Sequence, residues 1–142
     1  MKILIVNGPN LNLVGEREPH LYGTTTFDEL LESLNIDFPE HSIDYFQSNH
    51  CGHLIDKLQT AKIEYGGIVL NAGGYTHTSV ALGDAVAALR IPLVEVHLTN
   101  IFAREPYRHN SYISKSAKTV VCGAGMLGYK WAVEYLVANF SI

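Results

Sequence analysis

Histidine, arginine, tyrosine and carboxylate side chains gather in four short stretches of this sequence. Glu95 and His97 stand two apart at the end of an apolar run, so on a strand both point the same way. A carboxylate in that position fixes the tautomer of the imidazole and favours its protonated form, as a general acid requires. Arg17 precedes Tyr22 by five residues, and a cation beside a phenol favours phenolate, a base able to take a proton from carbon. Asn10, Asn71, His77, Arg104 and Arg108 complete a distributed set of donors. Each member also has a bland reading. His97 could be a core histidine satisfied by a buried Glu95, and Arg17 and Tyr22 could be ordinary loop residues.

The elements that would position these groups follow from apolar patterning. Runs rich in β-branched residues lie at 3–6, 68–70, 93–96 and 119–122, with a weaker one at 43–46. Most are continuous rather than alternating, the pattern of parallel strands covered on both faces. The gaps carry helical periodicity at 27–36, 54–65, 79–89 and 128–140. In the third, Val80, Ala81, Asp84, Ala85, Ala87, Ala88 and Leu89 are expected to face a neighbour. In the last, Trp131, Tyr135, Leu136 and Phe140 do so. The order βαβαβαβ(loop)βα predicts an α/β, flavodoxin-like, doubly wound sandwich, with a five-stranded parallel sheet and helices on both faces. Ligands are then expected beyond the carboxyl ends of the strands. The polar stretches fall there. The first, after strand one, is some sixteen residues long and predicts a functional lid at about 15–23.

Composition narrows the function classes. A chain of 142 residues, 47% apolar, accommodates a single domain over 1–142. Six lysines and four arginines, scattered singly against 14 acidic residues, form no basic stripe, so neither nucleic acid nor a membrane surface is an expected partner. Charged residues make up 17%, against the usual value of about 25%, which predicts surface covered in an oligomer. Cys51 and Cys122 are too few for a disulfide framework, and the opening apolar run is too short for a secretory or membrane segment, so a cytoplasmic protein is expected.

Two motif matches carry little. Gly123-Ala124-Gly125-Met126-Leu127-Gly128 fits G-x-G-x-x-G, but it follows the last strand. Only 14 residues remain beyond it, whereas a dinucleotide fingerprint needs an acidic residue about 20 positions on. A tight strand-to-helix turn is the expected role. His50-Cys51-x-His53 offers at most three ligands, with no second pair to close a metal site, and no metal is expected.

The longer motifs carry a resemblance. Asn7-Gly8-Pro9-Asn10-Leu11-Asn12, Gly15-x-Arg17-Glu18-Pro19-x-x-Tyr22-Gly23, Gln47-Ser48-Asn49, Leu70-Asn71-Ala72-Gly73-Gly74-x-Thr76-His77-Thr78-Ser79 with Asp84, and Glu95-Val96-His97-Leu98-Thr99-Asn100 with Ala103-Arg104-Glu105 stand in order along nearly the whole chain. Together they resemble the type II 3-dehydroquinate dehydratases. The resemblance implies a hydro-lyase of the shikimate pathway and of quinate catabolism. It would convert 3-dehydroquinate to 3-dehydroshikimate by anti elimination through an enolate, without a cofactor. Carried over by motif, Tyr22 would be the base, Arg17 would stabilise its phenolate, His97 would be the acid oriented by Glu95, and Asn10 would hold the water or donor that stabilises the enolate oxygen. Asn71, His77 and Arg108 would bind ring hydroxyls, and the backbone amides of Leu98 and Thr99 would take the carboxylate. Asp84 would reach the substrate from a neighbouring subunit in a dodecamer built of trimers. The chain departs from the family pattern at Cys51 and His53, where acidic residues are usual. The alternative from another class is a flavodoxin-like module binding FMN or a phosphoryl group, but Pro9, Asn10 and Asn12 stand where a phosphate loop would need Ser, Thr and Gly.

Overall fold

A computed structural model describes residues 1–16 and 18–142; Arg17 lies outside the described residues. In chain order the main elements are β1 (Lys2–Asn7), α1 (Pro19–Tyr22), α2 (Phe27–Asp37), β2 (Ser42–Gln47), α3 (Cys51–Glu64), β3 (Gly67–Asn71), α4 (Val80–Ala87), β4 (Leu93–His97), β5 (Thr119–Cys122) and α5 (Leu127–Phe140). The five strands are all parallel and lie in the order β2-β1-β3-β4-β5. The chain leaves β1 toward one edge and returns to β3 on its other side. The switch point therefore falls between β1 and β3, where Asn7 is in register with Asn71.

Alternation along β1 splits the core in two. Ile3 and Ile5 face α2 and α5, packing with Leu30, Leu34, Tyr129 and Leu136. Leu4 and Val6 face α3 and α4, with Leu54, Leu58, Leu82 and Val86. Burying one such side chain completely stabilises the fold by roughly 1.5–3 kcal/mol. That is why the strands are continuous apolar runs. Thr26 opens α2 with a capping box: its hydroxyl accepts from the Glu29 amide, and Glu29 accepts from the Thr26 amide.

Two expected helix faces are turned. In α4 the residues directed at the sheet are Leu82, Gly83 and Val86, while Val80, Ala81, Asp84, Ala87 and Ala88 are exposed. In α5 the inward stripe is Tyr129, Ala132, Val133 and Leu136, and Trp131 is 48% exposed; Tyr135 and Phe140 pack at the margin of the core. Both helices are apolar on several sides, so more than one helical phase fits the sequence and only docking on the sheet selects between them. The helix expected at 54–65 begins earlier, at Cys51.

The polar stretch after β1 is only partly a loop. Ahead of the segment expected as a lid, Leu11 and Val14 are buried in the core beside a 3-10 turn at Leu11–Leu13. The expected lid segment itself contains α1, which Pro19 opens and Gly23, at φ +80°, ends. In the G-x-G-x-x-G stretch, Gly123 and Gly125 take positive φ, and a Cβ on Gly128 would stand 3.3 Å from Val121 and 3.5 Å from Val96. These glycines make a tight turn and a close helix–sheet contact.

Candidate active site

The carboxyl ends of β1, β3 and β4 open onto a cavity of about 160 Å³. Its floor is set where β1 meets β3. The Gly8 amide donates to the Asn71 carbonyl at 2.7 Å, and a Cβ on Gly8 would come within 2.3 Å of the Ala72 carbonyl oxygen, so only glycine fits. Asn10 follows in the left-handed region at φ 69°, and its amide donates to Asn49 Oδ1 at 3.0 Å.

His97 closes β4 with its ring on the cavity wall and its Nε2 2.8 Å from Glu95 Oε1; both residues are buried. Glu95 also accepts from the Ser111 hydroxyl at 2.8 Å and from the Ser114 hydroxyl. Burial pushes this carboxyl upward, but the hydrogen bonds from His97, Ser114 and Ser111 outweigh it and hold Glu95 below the usual carboxylate range. The nitrogen of His97 left for a ligand is Nδ1.

His77 stacks near His97, ring centroids 6.0 Å apart. Its Nδ1 donates to the Asn110 carbonyl at 2.7 Å, which leaves Nε2 as a neutral acceptor. Burial, together with the charges of His97 and Arg108, holds His77 below its ordinary value against the pull of that hydrogen bond. Arg108 lines the same wall and is gripped by Glu105 at 2.7 Å. Its own backbone amide, then Arg108, bring the Glu105 carboxyl down to about 2.

Tyr22 reaches the cavity from α1, where its hydroxyl accepts from Arg104 Nη1 at 3.2 Å. Asn71 lines the opposite side. Its Nδ2 donates to the Tyr129 hydroxyl at 2.9 Å, that hydroxyl donates to Asn7 Oδ1 at 2.8 Å, and Asn71 Oδ1 accepts from the Gly73 amide at 3.2 Å. One N–H of Asn71 is left for a ligand.

Of the residues singled out in the sequence, Asn10, Tyr22, Asn71, His77, His97, Leu98, Thr99 and Arg108 line this cavity, with Glu95 behind His97. Asp84 does not line it; it is exposed on α4. The place of Arg17 lies outside the described residues.

The constellation and the fold agree with one family in sequence as well. The pattern of the family described as Dehydroquinase class II matches residues 1–137.

The chain belongs to that family.

A protein of Aspergillus clavatus named catabolic 3-dehydroquinase is 48% identical over 140 residues, 97% of this chain and 93% of that one. The crystal structure of the type II dehydroquinase of Butyrivibrio crossotus superposes with a TM-score of 0.92 at 40% identity, covering 96% of this chain and 97% of that one. The type II dehydroquinase of Propionibacterium acnes gives 0.92 at 34% identity, with 97% of each chain covered. As a dehydroquinase of this class the chain is a hydro-lyase with a flavodoxin-like α/β fold, and the reading as an FMN or phosphate module falls.

Several side chains that hydrogen-bond to candidate site residues carry no mark in the sequence. Ser111 and Ser114 reach Glu95 from the segment between β4 and β5, and a pair of serines three apart has no signature of such a role. Tyr129, which reaches Asn71, is not among the residues singled out in the sequence. Arg104 stood among the candidates, but its contact with Tyr22 joins residues 82 apart in sequence. Cys51 and His53, the departures from the family pattern, turn away from the cavity: Cys51 Sγ lies 3.2 Å from Ser79 Oγ, and His53 Nδ1 lies 3.2 Å from Ser48 Oγ. No group of three His, Cys, Asp or Glu side chains that could hold a metal is found among the described residues.

Proposed function

We propose that this cavity dehydrates 3-dehydroquinate to 3-dehydroshikimate by anti elimination through an enolate, with Tyr22 as base and His97 as acid. The observation that carries the reading is that Tyr22 with its Arg104 donor and His97 with its Glu95 acceptor line one cavity from separate elements. Tyr22 as phenolate takes the proton α to the ketone, and the electron pair of that C–H bond moves into the enolate. The enolate then collapses, the bond to the β-hydroxyl breaks, and His97 delivers the proton of Nδ1 so that water leaves. Proton exchange with solvent afterwards restores phenolate and imidazolium. Each proton transfer contributes on the order of 10²–10⁴ to the rate. A β-hydroxyketone loses water by this route without a cofactor.

The remaining roles follow the chemistry of a small polyhydroxylated carboxylate. Asn10 holds the water or donor that stabilises the oxygen on which enolate charge develops, as oriented dipoles do. Asn71, His77 and Arg108 bind the ring hydroxyls, and the backbone amides of Leu98 and Thr99 bind the carboxylate. Arg17 supports the phenolate from the lid. Asp84, exposed on α4, completes the site of a neighbouring subunit in trimers assembled into a dodecamer. The exposed alanine face of α4 supports that arrangement. Both cysteines are free thiols, in keeping with a cytoplasmic enzyme, and no helix among the described residues is long and apolar enough to cross a membrane. The test is direct: added to 3-dehydroquinate, the purified protein raises ultraviolet absorbance as the conjugated product forms. No rise across the neutral range of pH would overturn the reading.

A further inference from the structure

Glu95 is wholly buried, yet it is not merely the partner of His97. Its two oxygens receive three donors: His97 Nε2 and the Ser111 hydroxyl on Oε1, and the Ser114 hydroxyl on Oε2. The direction of the Ser111 bond is dictated locally. Ser111 Oγ accepts from the amides of Ile113 at 3.0 Å and Ser114 at 3.1 Å, which occupies both of its lone pairs and leaves it only a proton to offer. A protonated Glu95 turning its own hydrogen toward Ser111 would find no acceptor there.

The segment that carries these serines is pinned from three sides. The Tyr112 amide donates to the Thr76 carbonyl at 3.0 Å, Ile113 is fully buried in the core beside α4, and a Cβ on Gly83 would stand 2.6 Å from the Tyr112 carbonyl oxygen. The hydroxyls are therefore presented to the carboxylate by backbone that has little room to retreat.

We propose that Ser111 and Ser114 are positioning residues that lock Glu95 as a carboxylate, so that the proton of the Glu95–His97 pair rests on the imidazole, where a leaving hydroxyl can take it. Its use in catalysis rests on the reading of His97 as the acid. Without the serines, the proton of the neutral pair can settle on Glu95, out of reach of the cavity.

The direction of the effect follows from charge. The pair without its extra proton is a net anion, and with it the pair is neutral. Hydroxyl donors favour the anionic state more, so removing them raises the pH at which the pair releases its proton. The hydrogen bonds from His97, Ser114 and Ser111, which hold the Glu95 carboxyl below its ordinary range against burial, act in the same direction. Other ionisable groups near the pair include Cys122 in register with His97 on β5, His77 after β3, Arg104 and Arg108 after β4, and Tyr22 from α1, while α5, which also packs on β4, brings Tyr129. The serine substitutions leave all of them in place.

The experiment follows the imidazole ring protons of the enzyme by NMR across pH, with His97→Asn identifying the signal, alongside the pH profile of kcat for 3-dehydroquinate. The variants are Ser114→Ala, Ser111→Ala/Ser114→Ala and Ser114→Thr. Ser114→Ala retains the turn that Ser111 holds and so stays informative if the double variant does not fold. For Ser114→Ala the titration of the pair moves up by about one pH unit, kcat falls about tenfold and KM stays within about twofold, since one hydrogen bond to a charged group is lost. Ser114→Thr, which keeps the hydroxyl, restores all three. A purely structural role for the serine lowers Tm without moving the titration, and an unmoved titration in folded Ser114→Ala overturns the proposal whatever happens to turnover. A titration that moves while kcat does not leaves the lock standing and removes His97 as acid instead.

Discussion

Arg104 donates from Nη1 to the Tyr22 hydroxyl at 3.2 Å and, from the same nitrogen, to Thr99 Oγ1 at 3.3 Å. One guanidinium thus ties α1 to the segment that follows β4. Its side chain is mostly sheltered, at 18% exposed, so solvent screens the contact only in part.

Replacing Arg104 by methionine keeps an apolar stem and removes the charge. The hydrogen bond from a charged donor to the Tyr22 hydroxyl is then lost, on the order of 1.5–3 kcal/mol, so turnover should fall about tenfold or more. Unchanged turnover in the folded variant would separate Arg104 from the base.

Tyr22→Phe leaves the ring in place and takes away the proton acceptor. Turnover should drop by on the order of 10²–10⁴, with KM changed only a few-fold. Near-normal product formation in the folded variant would exclude Tyr22 as the base.

Stability should fall in two stages as pH is lowered. His77 is held below its ordinary value of 6.5, so as pH drops through 6.5 the unfolded chain binds a proton that the folded chain refuses, and stability declines. Glu95 is held below its ordinary 4.5; its contribution is intact above that value and is lost as pH falls from there through the lower folded value. Calorimetric Tm measured from pH 8 to pH 3 (a span of about one and a half units beyond each ordinary value) should show both declines. His77→Asn should flatten the first and leave the second, and a first decline of unchanged size would assign it to another group.

Tyr129 is fully buried and bridges Asn7 to Asn71. Tyr129→Phe leaves one acceptor and one donor unpaired in the core, at a cost of about 2 kcal/mol or more, which corresponds to a fall in Tm of roughly 6 °C. Because Asn71 and the Gly73 amide shape the cavity, KM should rise as well. A variant as stable as the parent would mean that the chain of hydrogen bonds rearranges freely.

Asp84 is exposed and among the described residues makes no contact with the cavity of its own chain. Asp84→Ala should leave Tm unchanged and lower kcat/KM about tenfold, the scale of one lost hydrogen bond to a charged group, in a protein that sediments as an oligomer. A strict monomer with full activity would refute the shared site.

Much of this molecule was legible in one dimension. Continuous β-branched runs at 3–6 and 68–70 can be satisfied only by strands covered on both faces, and their alternation with helical segments leaves few topologies besides a doubly wound sheet. Glu95 and His97 were readable as a pair because a strand places residues two apart on one side, and that local geometry survives folding unchanged. Contacts between distant segments were not readable in this way. Arg104 meets Tyr22, Ser111 and Ser114 meet Glu95, and Tyr129 joins Asn7 to Asn71 only because the parallel sheet brings the ends of β1, β3 and β4 to one edge and the connecting segments fold over it. The inward faces of α4 and α5 differ from those expected, since a helix apolar on several sides offers more than one phase of similar energy and the sheet chooses one. Residue types and short spacings determine which chemistry a chain can perform; the packing of elements far apart in sequence determines which charge stands beside which proton.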